Sequence, residues 1–445
     1  MTVFEKFLKP FPERRLRVVT TKSIYMNKLV ISVGIIALGT SVLHALETGA
    51  LNAQQTKKPW SVSASLRGFY DDNVNSQSGA NKQSSTGMEI SPSVDFGVAG
   101  EQSSFDVGYD FMARYYEKAV NGSSDHSDFT HKINLTATHA FSERMRMNAS
   151  ELFVVGQEPD FLSQGATIST PQRISGNNYR NYASVGGNFQ ATSLLGLGAS
   201  YNNTIVDYED QGVASLSSSL DRMEHEVGFN AQWTLSQQTA GLLGVVFGRT
   251  EHSSSDFIDV ANSILAERRD SRSLVINGGL QHEFSSQLSG TFLVGGQRVE
   301  FPNDPTSETK WSPWVQSSLT YQYQTQTKLD CGFSYNRSVS DVVAANSATS
   351  FVQDTETASL YGSVTHEIAQ HLTGNGSIRY QSSKFNGGLV DGQKDNFLLL
   401  GLGLTYDFNP NLAGNIGYNF DDLSSDIAGR NFDRNKFYVG VTATY

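Results

Sequence analysis

Apolar and polar residues alternate strictly along many segments of the chain after residue 53. In the last segment Phe437, Val439, Val441, Ala443 and Tyr445 form one set, and small or polar residues stand between them. Successive side chains of a β-strand point to opposite faces, so this period predicts a strand with one apolar face. The same alternation recurs at 105–116, 226–235, 274–284 and 398–408. The pattern therefore predicts a chain built almost entirely of strands.

The predicted strands are long, and the connections between them alternate between two lengths. They run to about 11–14 residues, whereas an ordinary strand has about five or six and a tilted membrane strand needs about ten. The short connections lie at 101–104, 142–144, 192–193, 236–238, 285–287, 324–326, 369–371 and 409–411. The long ones, rich in Ser, Asn, Asp and Gly, lie at 72–86, 117–127, 156–176, 209–220, 251–270, 302–309, 338–354, 384–394 and 422–433.

Short turns on one side and long loops on the other are typical of an outer-membrane barrel, with the turns in the periplasm. A soluble β-sandwich also alternates, but strand length and the two classes of connection argue against it. We therefore predict an all-β fold, a closed antiparallel transmembrane β-barrel. It has about 18 strands, with 16 as the alternative, and runs from near Trp60 to Tyr445.

The N-terminal residues 1–53 differ from the rest of the chain. They carry seven basic and three acidic residues, and the uncharged run 29–43 follows Lys28. A basic segment before a short apolar run is typical of an export signal, and cleavage is expected near 45–53. Met1 and Met26 both remain candidate starts. The predicted division is an export signal region at 1–53 and a barrel at 54–445.

Charge and composition narrow the chemistry. The whole chain has a net charge of −11, and an acidic surface argues against nucleic acid as a partner, because phosphate binding needs basic residues. The single cysteine, Cys331, excludes disulfides and cysteine-based metal sites. The nine histidines are scattered. No catalytic, cofactor-binding or metal site is predicted, and the protein is not expected to be an enzyme.

A barrel of 16–18 strands is too wide for side chains to fill, so its polar face should line an aqueous lumen. Assigning each strand by alternation gives these charged pore-lining candidates: Arg67, Asp106, Asp110, Arg114, Lys132, Glu226, Glu283, Asp330, Glu367, Arg379, Asp407 and Asp421. Four basic and eight acidic residues suggest a mild cation preference, unless they pair across strands. The loops 156–176, 251–270 and 338–354 are long enough to fold into the lumen. Trp60, Trp233, Trp311 and Trp314 are candidates for aromatic girdles at the membrane interfaces.

The segment 61–74, SVSASLRGFYDDNV, resembles the opening strand of the putative β-barrel porin 2 family of outer-membrane proteins. The resemblance implies a passive, water-filled porin in the bacterial outer membrane, either a general diffusion pore or the exit for a secreted polysaccharide, the latter with a periplasmic polysaccharide export protein as partner. The alternative is a closed structural or adhesive barrel that binds through its outer loops. Other expected partners are outer-membrane lipid, lipopolysaccharide and the barrel-assembly machinery, which would recognise the apolar series ending at Tyr445.

Overall fold

The computed structural model describes residues 58–118, 126–157, 177–304, 307, 309–324 and 327–445. The predicted export signal, nearly all of the predicted loop 156–176, most of 117–127 and most of the turn 324–326 lie outside the described residues. Within them, no helix is long and apolar enough to span a membrane.

Eighteen long strands dominate the described chain. They are β1 Trp60–Asp71, β2 Ser85–Ala99, β3 Ser103–Tyr116, β4 Ser127–Ser142, β5 Met145–Gly156, β6 Asn178–Gln190, β7 Leu195–Tyr208, β8 Arg222–Thr234, β9 Thr239–His252, β12 Ser271–Glu283, β13 Leu288–Glu300, β14 Lys310–Gln324, β15 Thr327–Ser338, β16 Val352–Ala369, β17 Leu372–Gly387, β18 Lys394–Asn409, β19 Leu412–Ser425 and β20 Phe432–Thr444. The long connections hold a hairpin of β10 Phe257–Asp259 and β11 Ile264–Leu265, the helix α1 Leu216–Leu220, and 3-10 turns at Gly79–Asn81, Ala266–Arg269 and Gly388–Val390.

The eighteen strands close into one antiparallel barrel. Each strand pairs with its neighbour along the chain, and β9 pairs with β12 across the hairpin. The barrel closes where β1 pairs with β20, from Ser63 opposite Thr444 to Asp71 opposite Lys436. Because the barrel is closed, each of the eighteen strands has a hydrogen-bonded neighbour on both sides and no sheet edge is left. Unpaired backbone groups are costly in lipid, so a closed sheet suits a membrane environment. The predicted fold class and strand count are confirmed.

The apolar face of the wall points outward and the polar face inward. On β1 the side chains of Val62, Leu66 and Tyr70 are exposed, while the intervening Ser61 and Ser65 are buried. Large apolar side chains in the same outward position recur on the other strands and form the belt that contacts lipid.

One predicted girdle residue faces the other way. Trp60, Trp233 and Trp311 are exposed on the outer face, but Trp314 is only 4% exposed and packs with Val275 and Leu293 on the inner face. Trp311 and Trp314 are three residues apart on one strand, so alternation places them on opposite faces.

Two predicted loops are shorter than expected. Strand β17 continues to Gly387 and β18 begins at Lys394, so the connection spans 388–393 rather than 384–394. Likewise β19 continues to Ser425 and β20 begins at Phe432. Polar residues near strand ends look like loop in sequence, yet they extend the ladder because one face of every strand is polar.

Candidate pore and its loop cover

All twelve predicted wall residues lie on barrel strands, in the positions that alternate with the outward apolar side chains. On β3, for example, Asp106 follows the exposed Phe105 and Asp110 follows the exposed Tyr109, so both carboxylates take the alternate, inward position. Cross-strand register extends the inward face from strand to strand around the barrel. That these residues line a conducting path stays a prediction.

The wall also carries inward charges that the sequence analysis missed. Register places seven further basic and six further acidic side chains on the inner face of the described strands: Arg146, Arg180, Arg222, Lys310, Lys328, Arg434 and Lys436, and Asp71, Glu89, Asp95, Asp128, Glu224 and Asp395. The sequence alternation already indicated the inward direction of Glu89, because this residue stands between the outward Met88 and Ile90. The wall is therefore closer to charge balance than a count of four basic against eight acidic residues implies.

Glu89 is the centre of an ion-pair ladder that joins three strands. Arg67 on β1 approaches it at 3.3 Å (Nη1 to Oε1), and Arg114 on β3 approaches it at 2.7 Å (Nε to Oε2). The Glu89 side chain is 5% exposed, so these charges are largely withdrawn from water. Arg67 and Arg114, two of the predicted wall residues, thus both form ion pairs with Glu89, which was not predicted.

Further wall charges are paired in the same way. Arg434 on β20 approaches Asp71 on β1 at 2.8 Å and the predicted Asp421 on β19 at 3.9 Å. Lys328 approaches the predicted Asp330 at 2.9 Å. Asp110 and Lys132 face each other in register. Pairing across and along strands therefore accounts for many of these charges, as the alternative interpretation held.

The predicted acidic residues nearest the short turns are different. Asp106, Glu283, Glu367 and Asp407 lie close to the turn-side ends of β3, β12, β16 and β18. In the described part of the chain, none of the four forms an ion pair. The basic side chains that face inward near this end are Arg146 and Lys328, and Lys328 already pairs with Asp330. The turn-side mouth is therefore acidic.

The loop-side end is covered by segment 339–351, which connects β15 to β16 and lies against the inner wall. Arg430, from the connection before β20, contacts Asp341 of this segment at 3.0 Å and the inward Asp395 of β18 at 2.9 Å. Burial lowers the pKa of Arg430, but the two carboxylates outweigh it and hold the pKa above its ordinary value. Arg430 therefore stays protonated, and its ion pairs hold segment 339–351 against the inner wall.

A second arginine fastens the same segment to other loops. Arg269 is 1% exposed and donates hydrogen bonds to the carbonyl oxygens of Ser219, at 2.9 Å, and Ser340. Burial lowers its pKa to about 10, which still leaves it charged at neutral pH. Three connections, those after β7, β9 and β15, therefore meet at one guanidinium group.

Apolar contacts complete the loop cover. Val342 and Ala344 pack against Val352, Phe385 and Val390. Val343 and Ala345 pack against a second cluster: Ile258, Ile264, Ala266 and Phe351. Of the loops predicted to fold inward, the described parts of 251–270 and 338–354 meet here.

The cover changes the exposure of the inner wall from one end to the other. Thr357 and Ser359, inward on β16 at the loop side, are 0% exposed. Thr136 and Thr138, inward on β4 near the turns, are exposed. The inner wall is therefore covered at the loop side of β16 and exposed near the turns of β4, while Gln232 and Ala240, inward near the turns of β8 and β9, are also buried. The arrangement offers a polar passage, and in the described residues no group of three His, Cys, Asp or Glu side chains could hold a metal ion.

Comparison of the sequence with known protein families shows which family the chain belongs to. The profile of the family described as "Putative beta-barrel porin 2" matches residues 61–445. The chain belongs to this family. As a β-barrel porin 2 member with a closed 18-stranded barrel, it is a protein of the bacterial outer membrane. No curated protein matches it.

Several solved barrels are distantly similar to this family member. OpdK of Pseudomonas aeruginosa, crystallised with vanillate, is 11% identical, with 87% of this chain and 99% of that chain covered and a TM-score of 0.43. OccK9 (OpdG) of the same organism is 11% identical, with 87% and 98% covered and a TM-score of 0.45. A BenF-like porin of Pseudomonas fluorescens Pf-5 is 10% identical, with 87% and 99% covered and a TM-score of 0.44.

Proposed function

We propose that this protein is a water-filled conduit through the outer membrane, narrowed on its outer side by its own loops. The observation that carries the proposal is the contrast along the inner wall. Near the turns of β4 and β18 the inner wall presents exposed polar groups, those of Thr136, Thr138 and Asp407, whereas at the loop side segment 339–351 packs against the wall at β16, β17 and β18. A barrel of this strand number keeps an aqueous interior unless it is plugged, and the segment covers only one end.

The cargo we propose is a secreted polysaccharide, which the family resemblance implies. The inner wall supports this cargo by its chemistry. Hydroxyl and amide side chains that face inward on β16, β17 and β19 include Ser363, Thr365, Asn375, Ser377 and Asn419. Such groups exchange hydrogen bonds with sugar hydroxyls as readily as with water, and the near balance of wall charges leaves little to trap a neutral polymer. No catalytic residue and no cofactor belong to this proposal.

The conduit is tested by the ion current of the purified mature protein in a planar bilayer. We expect steady conductance, and we expect Arg430→Gln to raise it, because that variant removes the anchor between Asp341 and Asp395. Lys384→Gln is the matched control: it removes a positive charge from the outward face of β17, in line with Ile378 and Tyr380, and should leave conductance unchanged. A silent bilayer for both the wild type and Arg430→Gln would contradict the conduit.

The second candidate function is a closed barrel that binds through its loops, and the loop cover favours it. Arg269, Arg430 and two apolar clusters hold the loops together as one body. The silent bilayer described above would support this candidate.

The cargo requires a separate experiment. Deleting the gene should lower the amount of extracellular polysaccharide, and the wild-type copy should restore it. A protein that conducts ions but whose loss leaves polysaccharide secretion unchanged would be a general diffusion pore.

A further inference from the structure

Basic residues gather on the outward face of the barrel, beside the long loops. Arg249 is the fourth residue from the loop-side end of β9, and Arg272 is the second residue of β12. The two are directly opposite each other in register. Alternation places both on the outer face, in line with Phe247 and Leu274. Directly opposed like charges on a sheet face lie about 5 Å apart and destabilise it, so anions close to this pair stabilise it.

The acidic residues nearby do not supply enough negative charge. Arg249 pairs with Glu251, and Arg298 on β13 pairs with Glu300. Arg272 lies directly opposite Glu300 on β13, but the Glu300 carboxylate is paired with Arg298, and in the described part of the chain the Arg272 side chain forms no ion pair or hydrogen bond. His225 on β8 lies opposite Arg249 and can add a further donor. The cluster therefore holds three guanidinium groups and two carboxylates, and the guanidinium group without an ion pair among the described residues is that of Arg272.

An exposed apolar surface lies directly below this cluster. Phe247 and Leu274 are opposite each other, one outward position further into the membrane than Arg249 and Arg272. Arg298 lies in this same lower row, opposite Leu274 on one side and Trp311, which is 57% exposed, on the other. If the long loops face outward, as is typical of outer-membrane barrels, acyl chains would cover the lower part of the patch and the outer-leaflet headgroups would lie beside its upper part.

We propose that Arg249, Arg272 and Arg298 form a binding site for a phosphorylated glycolipid of the outer leaflet, of the lipid A class. Its phosphate would lie between Arg249 and Arg272, where the forked guanidinium groups match the tetrahedral oxygens. Its acyl chains would lie along Phe247, Leu274 and Trp311. The patch combines unneutralised positive charge with an apolar surface. Such a lipid matches both features, because its phosphate is attached to a body of acyl chains.

The test is native mass spectrometry of the full mature protein with bisphosphorylated lipid A added. We expect Arg249→Gln/Arg272→Gln to weaken binding by about tenfold or more, since each charge-assisted contact contributes on that order. Arg272→Lys keeps the charge but loses the fork, so it should be intermediate. Lys82→Gln is the matched control, because Lys82 also lies beside the outer loops but is already paired with Asp433 at 2.5 Å.

Two further ligands separate phosphate recognition from general lipid binding. Dephosphorylated lipid A should bind the wild type and the double variant equally and weakly. Inorganic phosphate alone should compete with lipid A only at high concentration, because it lacks the acyl chains. Equal binding of phosphorylated and dephosphorylated lipid A, or an equal loss in Lys82→Gln, would overturn the site. Folding is followed by heat-modifiable migration, which these outward substitutions should leave unchanged.

Discussion

At the scale of single residues, the most connected charge of the inner wall is Glu89. It lies between two arginines on the neighbouring strands, with distances of 3.3 Å to Arg67 and 2.7 Å to Arg114. Without this carboxylate, two guanidinium groups would face each other across β2 with little water to separate them. A buried ion pair adds little net stability compared with an apolar replacement, but breaking one leaves an uncompensated charge.

We therefore predict that Glu89→Gln lowers the free energy of unfolding by about 3 kcal/mol, which is typical of a broken buried pair. Urea unfolding in detergent, followed by tryptophan fluorescence, measures this difference. Lys328→Gln breaks a pair whose lysine is 53% exposed and should cost no more than about 1 kcal/mol. Equal effects of the two substitutions would contradict the difference in burial.

Sequence alone could place the direction of wall residues but not their partners. Alternation is a local property, so the face of Asp106 follows from Phe105 and Val107 on the same strand. Pairing depends on register between strands, and Arg434 and Asp71 are 363 residues apart in the chain. The acidic bias was overestimated for a related reason: strands such as β2, whose apolar set was not assigned, contributed no residues to the predicted wall.

At the scale of elements, β20 is the strand on which closure of the barrel depends. It pairs with β19 along its length and with β1 over Asp71 to Ser63, so it closes the sheet. Its outward set, from Phe437 to Tyr445, is the series from which the fold was first predicted. The strand number was predictable because each strand and each connection has its own local signal.

Deleting Phe437–Tyr445 should therefore abolish the folded barrel. Two strand edges would face lipid, and each unpaired backbone group there costs several kcal/mol. Loss of the heat-modifiable band on electrophoresis measures the effect. As a matched control, removing nine residues within 158–176 shortens the connection between β5 and β6 and leaves every strand pair in place. A truncated protein that still migrates as a folded barrel would contradict the role of β20.

The loop cover is the element that the sequence did not predict in detail. Loop length alone named 156–176, 251–270 and 338–354 as candidates; the last two contribute to the cover, and nearly all of 156–176 lies outside the described residues. The contacts that form it, such as Arg269 with the carbonyl oxygens of Ser219 and Ser340, join segments that are remote in sequence. Their residues have no periodic pattern that would reveal such packing in advance.

At the scale of the whole molecule, the two classes of connection give the barrel a direction. Short turns face the periplasm and long loops face outward in outer-membrane barrels. We predict that a peptide tag inserted after Val213, which is 54% exposed in a long connection, is labelled on intact cells. A tag after Gln237, in the turn between β8 and β9, should be labelled only after the outer membrane is breached. The reverse pattern would invert the topology.

The distribution of charge along the pore sets its expected ion selectivity. Lys328 compensates Asp330, and the ladder around Glu89 is internally paired. The uncompensated acidic residues Glu283, Glu367 and Asp407 lie at the turn-side mouth. Carboxylates at a water-filled mouth raise the local cation concentration without forming a narrow filter. Selectivity should therefore be weak, cationic and sensitive to salt.

We predict a reversal potential that indicates cation preference across a KCl gradient near 0.1 M, and a smaller preference near 1 M, because the Debye length falls from ~10 Å to ~3 Å. The variant Glu283→Gln/Glu367→Gln/Asp407→Asn should move the potential toward anions while the folded barrel persists. Its matched control neutralises three outward carboxylates, Glu251, Glu300 and Glu356, and should leave the potential unchanged. If the outward variant moved the potential as far as the inward one, the surface rather than the mouth would set selectivity. Strong anion preference in the wild type would mean that ions pass mainly by the arginines of the loop-side wall, so that the narrowed end controls the current.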